Sequence, residues 1–544
     1  MGHFKNIRAL SFSALSAVFF FCAGCSTIKQ PSEVFVVPDY TEQDVLEHEK
    51  RRIAELSERN PVEALWRAGL LGDEAVSAQY AEAVYALLEK AVSESDFASA
   101  VRYYQSLEAA GFSGVKNLPL SKRQLFSEYL KNVPGLSVDE QLLPKTITDC
   151  VNATVTIWVD RGIRIQNGAG YADRVIGSGF FIDRRGYIVT NHHVISDLVD
   201  PKYEGYSRLF VKLARDAETR IPAKVVGYDA LIDLALLKVE VDPPFVLALG
   251  SSAELAVGDK VSAIGTPLGL YGTITSGIVS SVDRKLFTTG SVLQIDAAVN
   301  SGNSGGPCID SRMRVQAVVF AGILQYQGLN FAIPVEYLRQ DLPYLYAGGR
   351  RSHVWIGAYG HTMKEGLKEV GLEVQYVMPG GVACRAGIEA GDVLTFVDGR
   401  RVYSLEDVQD VFRNFAPETI VSCSYTREGE ARNALLYLDE RPEQPGYEMY
   451  CSDLLSSSFI PIFGMGLAPA STLSSRRYVI SKIIKGSIAD ESGFSETDPV
   501  YVAGVDFNED KSAISAALST RNKKKGYLDI SIRIGSALDG PYYF

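Results

Sequence analysis

Residues 301–310 read SGNSGGPCID, with Gly302, Gly305, Gly306 and Pro307 crowded around Ser304. Two readings compete. Gly, Asn, Ser and Pro all favour tight turns, so the stretch can simply join two strands. Alternatively, Ser304 is a nucleophile whose neighbouring amides must be bare enough to reach a substrate oxygen. The rest of the chain decides between them.

A nucleophilic serine needs a base, and the base needs an orienting acid. The chain has six histidines, of which His192 and His193 are adjacent in YIVTNHHVI (187–195). Read as a strand end, this places the two rings on opposite faces, so at most one faces a given site. The acid is sought in GYDALIDLALLKVE (227–240). Asp233 stands among apolar residues, where an unpaired carboxylate is costly, and the N–H of a catalytic histidine would satisfy it. Asp229 is its rival, in turn-like company ahead of the strand. The chain order is then His, Asp, Ser.

The surroundings of Ser304 are β in texture. ATVTIWV, GSGFFID, RLFVKLA, AKVVGYD and ALLKVE are short, β-branched and separated by turn residues. That spacing predicts an all-β barrel or sandwich over about 145–345, closed by a helix at VEYLRQDLPYLY. Two smaller β-rich units follow, at 353–441 and 457–540, the second a looser copy of the first. In the first, SLEDVQDVFRNF (404–415) reads as a helix with Ser404 as N-cap and Glu406 and Asp407 in its first turn. SAISAALSTR (512–521) falls in the corresponding place of the second. Ahead of the β domain, 41–140 shows apolar residues at three- and four-residue steps. It is helical, either a tetratricopeptide-type hairpin or a plain bundle.

Length and charge bound the rest. A chain of 544 residues suggests roughly three or four domains. Its net charge is −11, and the one short basic run is RNKKKG, so nucleic-acid binding has little support. Lys5 and Arg8 precede the apolar run ALSFSALSAVFFFCAG, which is shorter than the about 20 residues a membrane-spanning helix needs. A charged start, an apolar middle and small residues before a break describe a secretory signal over 1–24. A tether over 25–40 follows. The seven cysteines show no disulfide framework. No metal-ligating constellation is visible, and no cofactor is expected.

TNHHV, DLALLKV and GNSGGP together resemble the three signature segments of the HtrA (Deg) family of serine proteases. GSGFFID, IGTPLGL, ITSGIVS, LQIDAAVNSGNSGG and NFAIP follow that family's barrel strands in order. The resemblance implies a chymotrypsin-like double β-barrel and an acyl-enzyme mechanism. In it His193 is the base, Asp233 the acid and Ser304 the nucleophile. The backbone N–H groups of Gly302, Asn303 and Ser304 would form the oxyanion hole. Ala298, six residues before the serine, would floor the substrate pocket, and Val299 and Ile323 would narrow it; the alternative is that both are core residues. Cys308 stands where an aliphatic residue is usual.

The two C-terminal units resemble PDZ domains. Ile356, Gly357 and Ala358 would form the carboxylate-binding loop of the first, and FGMGL (463–467) its loose counterpart in the second. CAGC (22–25) is similar to a bacterial lipobox, with Cys22 where leucine is usual, so Cys25 would carry lipid. Ser26 after it implies the outer membrane, with the protein facing the periplasm or the cell surface. These resemblances imply a membrane-anchored endopeptidase acting on unfolded, damaged or C-terminally exposed envelope polypeptides, and a homo-oligomer, commonly a trimer. The rival readings are a regulatory protease with one dedicated substrate and a non-catalytic PDZ scaffold or chaperone.

Overall fold

Asn60, Asp73, Asp96 and Ser121 each cap a helix, their side chains accepting N–H groups of the first turn. Each such cap contributes about 1 kcal/mol. The helices they start, Pro61–Leu70, Glu74–Ser93, Phe97–Ala109 and Lys122–Leu130, follow a first helix Glu42–Ser57. The computed structural model describes residues 42–266, 272–285, 290–300, 302–322, 329–470, 476–522 and 528–544. Cys25, the expected signal and tether, and Ile323 lie outside these residues. Among the described residues no helix is long and apolar enough to cross a membrane.

The β domain consists of two closed sheets. In the first, strands Asp216–Asp229, Arg208–Leu213, Thr154–Gln166, Ala169–Asp183, Tyr187–Thr190 and Leu234–Val239 pair in that order. The last pairs back with the first, which closes the ring. The second is a closed barrel of Pro307–Ile309, Val315–Gly322, Asn330–Pro334, Val292–Ile295, Thr273–Arg284 and Lys260–Gly265. The helix Val335–Ala347 then packs beside both.

The first C-terminal unit is a sheet over 354–440 with the helix Leu405–Phe412, capped by Ser404 as expected. The N-terminal helices share its core. Trp66 stacks on Tyr437 at 5.7 Å and donates from its indole nitrogen to Leu435 O at 2.7 Å. The helical region is therefore packed onto this unit through apolar surface and not merely tethered to it.

The second unit departs from the expected copy. SAISAALSTR forms the strand Ala513–Asn522, not a counterpart of the groove helix. The reason lies in its period: Ile514, Ala516 and Leu518 are buried at alternate positions, the pattern of a strand with one face covered. Helices Pro445–Ser452 and Leu455–Phe463 lead into the unit, so it starts ahead of residue 457. In FGMGL, Gly464 ends the second of these helices in the left-handed conformation.

Candidate active site

The sites meet where the two barrels face each other. NHHVI is not a strand end: the strand stops at Thr190 and the helix His192–Val199 begins. One side chain explains the turn. The Asp233 carboxylate accepts the His193 backbone N–H at 2.8 Å through Oδ1, serving the open amides of that helix start. Its other oxygen, Oδ2, lies 2.7 Å from His193 Nδ1. A carboxylate only accepts, so Nδ1 carries the hydrogen and Nε2 is left with its lone pair. Asp233 itself sits at φ +59, in the left-handed region that non-glycine residues rarely occupy. Asn191 holds this loop by donating from Nδ2 to Asp233 O at 2.8 Å.

His192 points elsewhere. Its ring stacks on Tyr228 with centroids 5.1 Å apart and planes 16° from parallel. Burial there favours the neutral imidazole and lowers its pKa, although Asp233 and Asp229 pull the other way. The two rings diverge as expected, but by helical rather than strand geometry.

Ser304 lies between the strands Val292–Ile295 and Pro307–Ile309 of the second barrel. Its turn is docked onto the first barrel: Ser178 donates its backbone N–H to Ser304 O at 2.8 Å and its hydroxyl to Gly302 O at 2.6 Å. Gly302 and Gly305 adopt φ +102 and +84, which glycine does without steric cost. A Cβ on Gly305 would come within 2.2 Å of Ser178 O and 3.0 Å of Asn191 N, so the serine turn can approach the histidine turn only through glycine. The Ser304 hydroxyl donates to Phe320 O at 3.3 Å, and no His193–Ser304 hydrogen bond occurs among the described residues. Catalytic hydrogen bonds often tighten only when substrate binds.

Two expectations are corrected here. Asn303 is not a free oxyanion donor, because its N–H donates to Asn300 O at 3.0 Å. Gly302 N–H and Ser304 N–H make no hydrogen bond among the described residues and remain the candidate donors. Val299 is buried with Val261, Ala297 and Cys308 in the core of the second barrel, so it is a core residue and not a pocket wall. Ala298 is exposed and is held by Thr275, whose hydroxyl donates to its carbonyl at 2.8 Å. Cys308 is fully buried, and burial pushes its thiol up to about 12, which keeps it neutral and unreactive.

Sequence reasoning missed one cluster, built on the rejected acid. Asp229 is wholly buried, with His353 Nε2 at 2.7 Å and Arg351 Nε at 3.7 Å from its Oδ2. Leu231 and Ile232 donate backbone N–H groups to its Oδ1. Burial opposes its charge, but His353 and Arg351 more than offset this and hold the carboxyl well below its usual range. Burial, reinforced by the Asp229 charge, instead raises the pKa of Asp341, 3.1 Å from Arg351. These residues join the barrel to the linker at 349–353. The available signal was a second acid in an apolar stretch that also required partners. Asp229→Ala leaves the buried Arg351 guanidinium short of an anion and the buried His353 ring without its acceptor, and is expected to cost about 3–5 kcal/mol in denaturant unfolding. Stability within about 1 kcal/mol of wild type would show that the cluster is not structural.

At the first C-terminal unit, Ile356 and Ala358 are buried and Gly357 takes φ +76, as a tight loop before a strand edge requires. That edge is occupied: Ala358 N donates to Phe544 O at 2.9 Å.

Comparison with known proteins agrees with this architecture. Residues 177–318 match a trypsin-like peptidase domain and 373–421 a PDZ domain. Residues 446–538 match the TP0546 family PDZ domain and 44–129 a domain of unknown function. A probable periplasmic serine endoprotease DegP-like of Bartonella henselae is 35% identical over 343 residues, covering 60% of this chain and 65% of that protein. One of the same description from Pseudomonas fulva is 31% identical over 385 residues, covering 68% of this chain and 77% of that protein. Among solved structures, the HtrA-type protease AlgW with decapeptide aligns over 55% of this chain and 99% of its own, with 24% identity and a TM-score of 0.45. On the sequence match across most of the Pseudomonas relative, with the peptidase and PDZ matches in the same chain, this protein belongs to the HtrA family of serine proteases.

Proposed function

We propose that the protein is a cell-envelope serine endopeptidase that cuts unfolded or damaged polypeptides through an acyl-enzyme. The observation that carries this reading is the two-point grip of Asp233 on His193, at the ring Nδ1 and the backbone N–H, beside a serine turn that only glycine could bring so close. His193 Nε2 takes the Ser304 proton as Oγ attacks the scissile carbonyl. Asp233 stabilises the imidazolium that forms, and Nε2 then returns the proton to the leaving amine. Gly302 N–H and Ser304 N–H receive the oxyanion, each such donor contributing roughly 3 kcal/mol. Water attacks the acyl-enzyme by the same route in reverse.

Ala298 supplies no charge at the expected pocket floor. Mass-spectrometric mapping of products from unfolded casein should show cleavage after small aliphatic residues, Val and Ala foremost, with little after Lys or Arg. The preference should be broad, since an apolar pocket discriminates one methylene by only about 1–3 kcal/mol. A map dominated by Lys or Arg would overturn this pocket assignment.

The AGC motif supports a lipid anchor at Cys25, and the periplasmic description of the relatives supports the side it would face. Cys25→Ser should move the protein from the membrane to the soluble fraction and abolish labelled-lipid incorporation; unchanged fractionation would remove the anchor. The first PDZ domain would capture extended peptides along the edge that begins at Ala358, by strand addition. Assembly into a homo-oligomer is proposed on family grounds.

A further inference from the structure

We infer that residues 541–544 are a built-in occupant of the first PDZ groove, which a polypeptide ligand must displace to bind. The inference rests on reading that groove as a peptide-binding site. Its basis is a complete strand addition within one chain. Ala358 and Phe544 exchange both backbone hydrogen bonds, at 2.9 and 3.0 Å, and Gly360 N donates to Tyr542 O at 3.1 Å. Tyr359 and Tyr543 pair antiparallel between them. From the opposite wall, the helix Leu405–Phe412 sends Gln409 Nε2 to Pro541 O at 2.6 Å. The segment is thus held between strand and helix, as an added peptide strand would be.

Side chains make the fit specific. Phe544 is 3% exposed, in one cluster with Ile356, Ala358, Val408 and Phe412. Tyr542 stacks on His361 with centroids 4.0 Å apart. Tyr543 turns away from the groove, and its hydroxyl donates to Pro461 O at 3.0 Å, on the helix that leads into the second PDZ unit. The second unit, in which no helix stands in the place of Leu405–Phe412 among the described residues, therefore delivers and anchors the segment that fills the first. The pattern it presents is an extended backbone with a buried aromatic residue at position 544. Ligands of that chemistry, with phenylalanine or a similar residue in the Phe544 position, are the ones able to compete.

A tethered segment acts at an effective concentration on the order of millimolar, so a free peptide meets strong internal competition. The probe is fluorescein-labelled DGPYYF, the sequence of residues 539–544. It is titrated by anisotropy into the full chain and into chains carrying a deletion of 541–544 or Phe544→Ala, each checked by thermal melting. Both variants should bind it at least about tenfold more tightly than wild type. Equal affinity in all three would overturn the inference. In wild-type chain alone, hydrogen exchange should show the Ala358 and Gly360 amides protected; rapid exchange there would overturn it even if the variants do not fold. If the deleted chain binds other members of a hexapeptide library but not DGPYYF, the occupant is wrong and the groove reading stands. If it binds no peptide, both fall.

Discussion

Replacing His193 by alanine is expected to remove as much hydrolytic rate as Ser304→Ala, a loss on the order of 10⁶-fold, with the double variant little worse. The non-additivity is the informative part. Base and nucleophile carry one proton transfer between them, so losing either forfeits the same step. His192→Ala should retain most activity, because that ring stacks on Tyr228 and does not reach the Asp233 carboxylate. Initial rates on unfolded casein, with a thermal melt of each variant, measure this. An inactive His192 variant beside an active His193 variant would reassign the base. Equal suppression of substrate aggregation by wild type and Ser304→Ala, with neither cutting, would favour the scaffold reading.

Asp233→Asn should lower the rate by about 10⁴-fold while leaving the fold intact. The geometry says why. The amide oxygen can still accept the His193 backbone N–H, which leaves the NH₂ group facing Nδ1. Nδ1 must then accept, the ring hydrogen moves to Nε2, and Nε2 can no longer take the serine proton. Asp229→Asn does not touch that ring, so its effect should fall on unfolding rather than on the rate of the folded enzyme. A near-wild-type rate for Asp233→Asn, with Asp229→Asn inactive, would exchange the roles of the two acids.

The triad candidates were legible because each carries its signal locally: a glycine-ringed serine, paired histidines and an acid among apolar residues. The barrel strands were legible by their spacing and β-branched content. What the sequence hid depends on contacts made only once the chain folds, most of them with partners distant along it. The helix start at His192 depends on a cap supplied by Asp233, some forty residues on. The engagement of Asn303 N–H depends on how the turn folds back on Asn300. Val299 could be read either way until the barrel closed over it. SAISAALSTR carried alternating burial, but its place in a duplicated plan favoured a helix; its strand neighbours on both sides decide it. The Asp229 cluster and the tail strand at Ala358 pair residues more than a hundred positions apart, beyond the reach of any local pattern.

The central claim is that Ser304 is the nucleophile and His193 its base, and covalent labelling tests it most directly. The chain is incubated with a fluorophosphonate, digested and mapped by mass spectrometry, and residual casein hydrolysis is read on the same sample. The account predicts a single phosphonylated residue, Ser304, with activity lost in proportion to its labelling, and no labelling in His193→Ala. Proteolysis that persists with Ser304 fully labelled, or a label on a different residue that tracks the loss of activity, would contradict it.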